Sequence, residues 1–402
     1  MFNNVMIIPV KKALFLAFVM LFVLSAAGRT LRYGDVKTGA ESTEQYLPML
    51  ENKRVGIVAN HTSLVEGTHL VDTLLALGVN VKRIFTPEHG FRGTADAGEK
   101  ISTVEDEKTG LPLVSLYGDR LKPRDEDVEG LDIIIFDIQD VGVRFYTYIS
   151  TMHYVMEVCA ENGISFLVLD RPNPNGFYVD GPVLDMEHRS FVGMHPVPVV
   201  HGMTVAEYAL MINGEGWLKD GIQADLQYVL CEGYDHNTLY KLPVRPSPNL
   251  QTQLSIYLYP SVCLFEGTVM SVGRGTDKPF MLFGHPQLQN AHYTFTPTGV
   301  EGAMNPPHKG VLCYGVNLSE FEERFVIDRR ELYLEWLVFA YRNMPRDIDF
   351  FNGYFTRLTG NTTIQSMIEA GAHVSTIMRT WTADVAEFKE IRKEYLLYRD
   401  FE

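Results

Sequence analysis

Asp132-Ile133-Ile134-Ile135-Phe136-Asp137-Ile138-Gln139-Asp140 is continuously apolar and then turns acidic at its end. A run without the alternation of a half-exposed strand is the pattern of a strand buried on both faces, as in a parallel sheet covered by helices. The same pattern recurs on either side. Residues 54–60, 79–85 and 164–169 are apolar runs that stop abruptly at Asn60-His61-Thr62-Ser63, Thr86-Pro87-Glu88-His89-Gly90 and Asp170-Arg171-Pro172-Asn173-Pro174. Between them, residues 68–77 and 146–161 carry apolar side chains at helical spacing and end at Gly78 and Asn162-Gly163, as helices that close on glycine do. Residues 113–118 and 226–230 add two shorter strands. Alternating strands and helices predict an α/β fold: a Rossmann-like, doubly wound, mainly parallel sheet. No G-x-G-x-x-G follows the first strand, so the domain is not read as nucleotide-binding.

The 402 residues exceed one ordinary core, and two domains are expected: residues 45–240 as the Rossmann-like catalytic domain and 241–402 as a smaller α+β domain closing the active-site cleft. Prolines cluster from Pro243 to Pro260, and the stretch from Gly267 to Phe280 is rich in glycine, as a lid or half of a cleft would be. Thr204 with Glu207 three residues on predicts a capping box at the start of a helix. Lys11-Lys12, the apolar run from Ala13 to Leu24 and Ser25-Ala26-Ala27-Gly28 form a signal peptide over residues 1–28, so the mature protein is expected to be exported, periplasmic or secreted, without stable membrane insertion. A formal net charge of −15 argues against a nucleic-acid partner, which needs a basic stripe. Cys159, Cys231, Cys263 and Cys313 are scattered, without the spacing of a zinc or redox motif.

Asn60, Glu88, Asp137, Asp140 and Asp170 all fall at the carboxyl ends of strands, where open α/β sheets bind ligands. Glycoside hydrolysis needs an acid for the leaving oxygen and a second group that attacks or activates water. Glu88, held by Pro87 at a strand end, fits the acid; the bland alternative is a pair with Arg92. Asp137 or Asp140 fits the second carboxylate, or Asp140 pairs with Arg144 and organises the turn. Asp170 next to Arg171 suits an organising ion pair. His61, His89, His201, Asp137 and Asp170 are possible metal ligands, but without H-x-H or H-E-x-x-H spacing no metal or other cofactor is expected. A serine nucleophile lacks its G-x-S-x-G.

Thr86-Pro87-Glu88-His89-Gly90-Phe91-Arg92-Gly93, the stretch from Asp137 to Tyr148, Asp170-Arg171-Pro172-Asn173-Pro174, His201-Gly202-Met203-Thr204 and Gly273-Arg274-Gly275-Thr276 together resemble the exo-β-N-acetylmuramidase family, formerly a domain of unknown function. The resemblance runs from about residue 50 to the C-terminus. It implies a glycosidase that releases N-acetylmuramic acid from the non-reducing end of peptidoglycan fragments, in a cleft between two domains. It implies Glu88 as the leading catalytic residue and leaves the second group, Asp137 or Asp140, open. Asn60, His89, Arg92, Arg144, Tyr146, Asp170, Arg171, Asn173, His201 and Arg274 are the candidate substrate-binding residues. The sugar carries a lactyl carboxylate, which a guanidinium binds bidentately, and Arg144 and Arg274 are the candidates for that contact. The rival readings are a non-catalytic periplasmic muropeptide-binding protein and a metal-dependent hydrolase.

Overall fold

Six parallel strands form the centre of the computed structural model, which describes residues 31–88, 90–91 and 105–402. They are β1 (Val55–Ala59), β2 (Val81–Thr86), β3 (Leu113–Ser115), β4 (Ile133–Asp137), β5 (Ser165–Leu169) and β6 (Leu226–Val229). Their order across the sheet is β3-β2-β1-β4-β5-β6, every neighbouring pair parallel. This is the doubly wound order, whose switch point lies between β1 and β4. The expected signal peptide lies outside the described residues.

Alternation along the strands divides the core between the two faces of the sheet. Ile57, Ala59, Ile133, Ile135, Leu167 and Leu169 share one face with Tyr46 and Leu50 of α1 (Thr43–Leu50) and Leu70, Val71 and Leu74 of α2 (Leu70–Ala76), all buried. The alternate set, including Ile134, Phe136, Phe166 and Val168, points to the other face, where α3 (Tyr148–Asn162) and α4 (Val205–Gly214) pack against β5. The capping box at α4 forms as expected: Glu207 N donates to Thr204 Oγ1, and Thr204 N to the Glu207 carboxylate.

Helix α5 (Gln253–Val262) runs through the proline cluster, because Pro260 sits in its last turn while Thr252 and Ser255 cap its start. Residues 324–343 form two helices, Arg324–Arg329 and Glu335–Asn343, separated where Arg330 turns left-handed at φ 55°. A three-stranded antiparallel sheet of Leu282–His285, Tyr293–Phe295 and Cys313–Asn317 belongs to this smaller C-terminal part. All four cysteines are buried thiols.

Gly34–Glu402 pack as one unit, with the end of the chain tied into its first half. Leu397 N and Tyr398 N donate to Glu207 Oε1, and the Tyr398 hydroxyl donates to Asp170 Oδ2 at 2.6 Å. Arg392, fully buried, donates to the Gly202 carbonyl, and Trp381 Nε1 donates to Asp180.

Candidate functional site

Strand β2 delivers Glu88 into a tight turn. Pro87 fixes the backbone entering it, and Gly90, left-handed at φ 71°, closes it by donating its amide to the Pro87 carbonyl at 3.1 Å. The Glu88 carboxylate is half-buried. Among the described residues its single hydrogen bond is a long one, accepted from Thr147 Oγ1 at 3.4 Å.

Around Glu88, a cavity of about 60 Å³ joins the sheet side, Thr147, Tyr146 and Tyr148, to the C-terminal part, Ser247, Tyr259 and Arg274. The two sides are tied directly: the Tyr146 hydroxyl donates to the Pro246 carbonyl at 2.9 Å, and that of Tyr148 at 3.4 Å. Tyr146 packs edge-on against both Tyr148 and Tyr259. Arg274 is shared with a neighbouring pocket of about 430 Å³, lined also by Glu266, Met304, Asn305, Pro306 and Tyr354. Burial, followed by the charge of Glu88, raises the Tyr148 phenol pKa; Glu88 also contributes to the raised values of Tyr146 and Tyr354. Glu88 therefore exerts its field on aromatic groups lining both pockets.

Arg274 is a built side chain. Glu266 Oε1 accepts from its Nε at 2.6 Å, and the guanidinium lies 5.0 Å over the Phe280 ring. Burial works against the charge, but Glu266 outweighs it and the guanidinium pKa is raised.

Asp140 lies beneath the same tyrosines. Its Oδ1 accepts from Gly142 N at 2.6 Å, while Oδ2 is buried without a hydrogen-bond partner. Burial pushes its pKa up to about 7, against the pull of the Gly142 and Val141 amides. Its charge contributes to the raised phenol pKa of both Tyr146 and Tyr148. Asn60 is also buried: its Oδ1 accepts from Thr62 N and Oγ1, and its Nδ2 has no partner.

The remaining candidates are placed elsewhere, each for a physical reason. Asp137 is fully buried and spent on a bidentate pair with Arg171, at 2.6 and 3.0 Å, and Arg171 also donates to the Leu64 carbonyl. Neither lines the cavity around Glu88 or the pocket beside it. Arg144 does not pair with Asp140. It is buried and donates to the carbonyls of Pro182, Val197 and Leu358, so it bolts the C-terminal part to the loops after β5 rather than reaching a ligand. Asp170 organises: Oδ1 accepts from Ala206 N at the start of α4 and Oδ2 from Tyr398, with burial raising its pKa to about 7. Asn173 braces the loop after β5 through Met203 O and Asn175 N, and His201 is buried with Nδ1 accepting from Met203 N. His89 and Arg92 lie outside the described residues. Among the described residues, no group of three histidines, cysteines or carboxylates is arranged to hold a metal ion.

Of the expected site residues, the cleft thus brings together Glu88, Tyr146 and Arg274, with Asp140 and Asn60 beneath its floor. Tyr259, Phe280, Glu266 and Tyr354 were not among the candidates. The glycine-rich stretch around Arg274 is the signal for Glu266 and Phe280; for Tyr259 and Tyr354 the sequence carries none.

The chain matches two family models end to end: exo-beta-N-acetylmuramidase NamZ, N-terminal, over residues 55–254, and its C-terminal counterpart over 257–398. The peptidoglycan beta-N-acetylmuramidase NamZ of Bacillus subtilis (strain 168) is 39% identical over 399 residues, covering 92% of this chain and 93% of that protein. The crystal structure of a DUF1343 family protein from Bacteroides fragilis NCTC 9343 superposes with a TM-score of 0.85 at 48% identity, covering 91% of this chain and 99% of the other. A second DUF1343 protein of the same organism gives a TM-score of 0.74 at 28% identity, with 90% and 99% covered.

Proposed function

The chain belongs to the exo-beta-N-acetylmuramidase NamZ family, and on that premise we propose a glycoside hydrolase that releases N-acetylmuramic acid from the non-reducing end of peptidoglycan fragments, with Glu88 as its acid. The observation that carries the role of Glu88 is its position. It is a half-buried carboxylate at the carboxyl end of β2, lining a cleft whose other wall comes from the C-terminal part, and no ion pair among the described residues consumes it. Glu266, the other carboxylate lining these pockets, is engaged by Arg274.

The acid protonates the glycosidic oxygen as the bond to the anomeric carbon breaks, and a second group assists attack from the other side. Asp140 is the candidate we favour for that group over Asp137, because one of its oxygens has no partner while both oxygens of Asp137 are held by Arg171. Tyr146 and Tyr148, which line the cavity beside Glu88, exclude water there and strengthen electrostatics. The basic and apolar stretch at residues 11–28 supports an exported enzyme acting in the cell envelope, and N-terminal sequencing of protein recovered from the envelope or medium tests that part.

Glu88→Gln keeps the size of the side chain and removes its proton. Turnover of an aryl β-N-acetylmuraminide is expected to fall by roughly 100-fold or more, the usual scale for a general acid, while the circular dichroism spectrum and melting temperature stay unchanged. Near-normal turnover by a folded Glu88→Gln protein would end the assignment.

A further inference from the structure

We propose that Arg274 is the specificity determinant of the cleft: its two terminal nitrogens bind the free lactyl carboxylate that distinguishes N-acetylmuramic acid from N-acetylglucosamine. This rests on the muramidase reading and deepens it.

Four independent features hold Arg274 in place. Gly273 and Gly275 flank it, both left-handed at φ 79°, and a Cβ would lie 2.8 Å from the Lys278 carbonyl oxygen at the first and 2.3 Å from that of Thr298 at the second. Only glycine fits either position, so the backbone carrying the arginine is fixed on both sides. Phe280 is left-handed as well, at φ 57°, a conformation that a bulky residue adopts only under strain. Its amide donates to Val272 O, its ring packs edge-on against Tyr259, and the strained conformer holds that ring beneath the guanidinium. Glu266 takes the Nε hydrogen.

What remains open is the outer edge. Neither Nη1 nor Nη2 makes a hydrogen bond among the described residues, and together they present two parallel donors, the fork that matches a carboxylate. That edge belongs to a side chain lining both the Glu88 cavity and the 430 Å³ pocket beside it. Among the described residues no lysine and no other arginine lines either pocket, so Arg274 is the cationic side chain these residues offer an anionic substituent. Glu266 fixes the orientation of the guanidinium through Nε and keeps it charged, so a carboxylate at the outer edge gains two charge-assisted hydrogen bonds that a neutral sugar cannot make.

The test uses an aryl β-N-acetylmuraminide and its lactamide analogue, which has the same shape and no charge. The wild-type enzyme is expected to prefer the acid over the amide in kcat/KM by roughly 100-fold, the scale of charge-assisted hydrogen bonds. Arg274→Gln is expected to bring that ratio close to one, chiefly through KM, and Arg274→Lys, which keeps the charge without the fork, to leave it at roughly 10-fold. A wild-type enzyme indifferent to acid and amide, or a folded Arg274→Gln that keeps the wild-type ratio, overturns the proposal. If the wild-type enzyme hydrolyses neither compound, the activity reading has failed instead. Calorimetric binding of free N-acetylmuramic acid against its lactamide then decides: a preference lost in Arg274→Gln supports the clamp, and one retained overturns it.

Discussion

Asp140→Asn separates what a buried carboxylate does for the fold from what it does for the reaction. In the folded protein, burial moves the Asp140 pKa from 3.8 to about 7. At 1.36 kcal/mol per pH unit this amounts to roughly 4 kcal/mol as a ceiling. The sign follows from proton counting. Between pH 3.8 and 7 the unfolded chain releases the proton that the folded protein still holds, so wild-type stability falls as pH rises through that window and levels off above it. Asparagine keeps an acceptor for the Gly142 amide, now bonded to Oδ1 of Asp140, and has nothing to ionise. The variant is therefore expected to gain on the wild type as pH rises from 4 to 7, by up to about 4 kcal/mol at pH 8. For the unit Gly34–Glu402, an unfolding entropy near 2.1 cal/mol/K per residue turns that into an increase in Tm of about 5 °C. Differential scanning calorimetry of both proteins at pH 4.5, 6 and 8 measures it. A Tm difference that stays flat across these pH values refutes the account of Asp140 as a carboxylate ionised against its surroundings. In the same protein kcat on the aryl muraminide is expected to drop by roughly 100-fold or more; unaltered kcat would dismiss Asp140 as the second group while leaving the stability result intact.

Two further outcomes follow from buried charge. Asp137→Asn strands the Arg171 guanidinium in the core and is expected to cost roughly 3–5 kcal/mol in urea denaturation; a loss below about 1 kcal/mol would mean that solvent reaches the pair. His153 and His201 are buried, and desolvation lowers their pKa to about 4 and 3. Unfolded histidine takes up a proton near 6.5, so their contribution is complete above that pH and is lost as pH falls from 6.5 towards 4. Tm is expected to decline across this window, and His153→Gln to flatten part of the decline; an unchanged slope in that variant would point to other groups.

The sheet was legible because strands buried on both faces leave uninterrupted apolar runs, as Ile133–Asp137 and Ser165–Leu169 do. Helix α5 was not, since Pro260 reads as a break unless one knows that it falls in the last turn. The site divides in the same way. A proline, a glutamate and two glycines after an apolar run marked Glu88, and flanking glycines marked Arg274. The sequence shows which polar residues end the strands, but it does not show whether the partner of each is a substrate or another buried group. Asp137 and Arg171 satisfy each other, Asp170 is satisfied by α4 and Tyr398, and Arg144 by three carbonyls, all across 34 to 228 residues of chain. Such pairings follow from the fold and leave no local mark.

The tie between the C-terminus and the first half also bears on the order in which the protein folds. Glu207 and Asp170 belong to the Rossmann-like part, yet they accept from Leu397, Tyr398 N and the Tyr398 hydroxyl. During synthesis both carboxylates are made some 190 to 230 residues before these donors. Before residues 397 and 398 are made, Glu207 Oε1 has only His236 and Asp170 Oδ2 lacks the Tyr398 hydroxyl, so burying the two carboxylates costs more than it does in the finished fold. Docking of the segment around Tyr398, rather than completion of β6, is then the step that fills these acceptors.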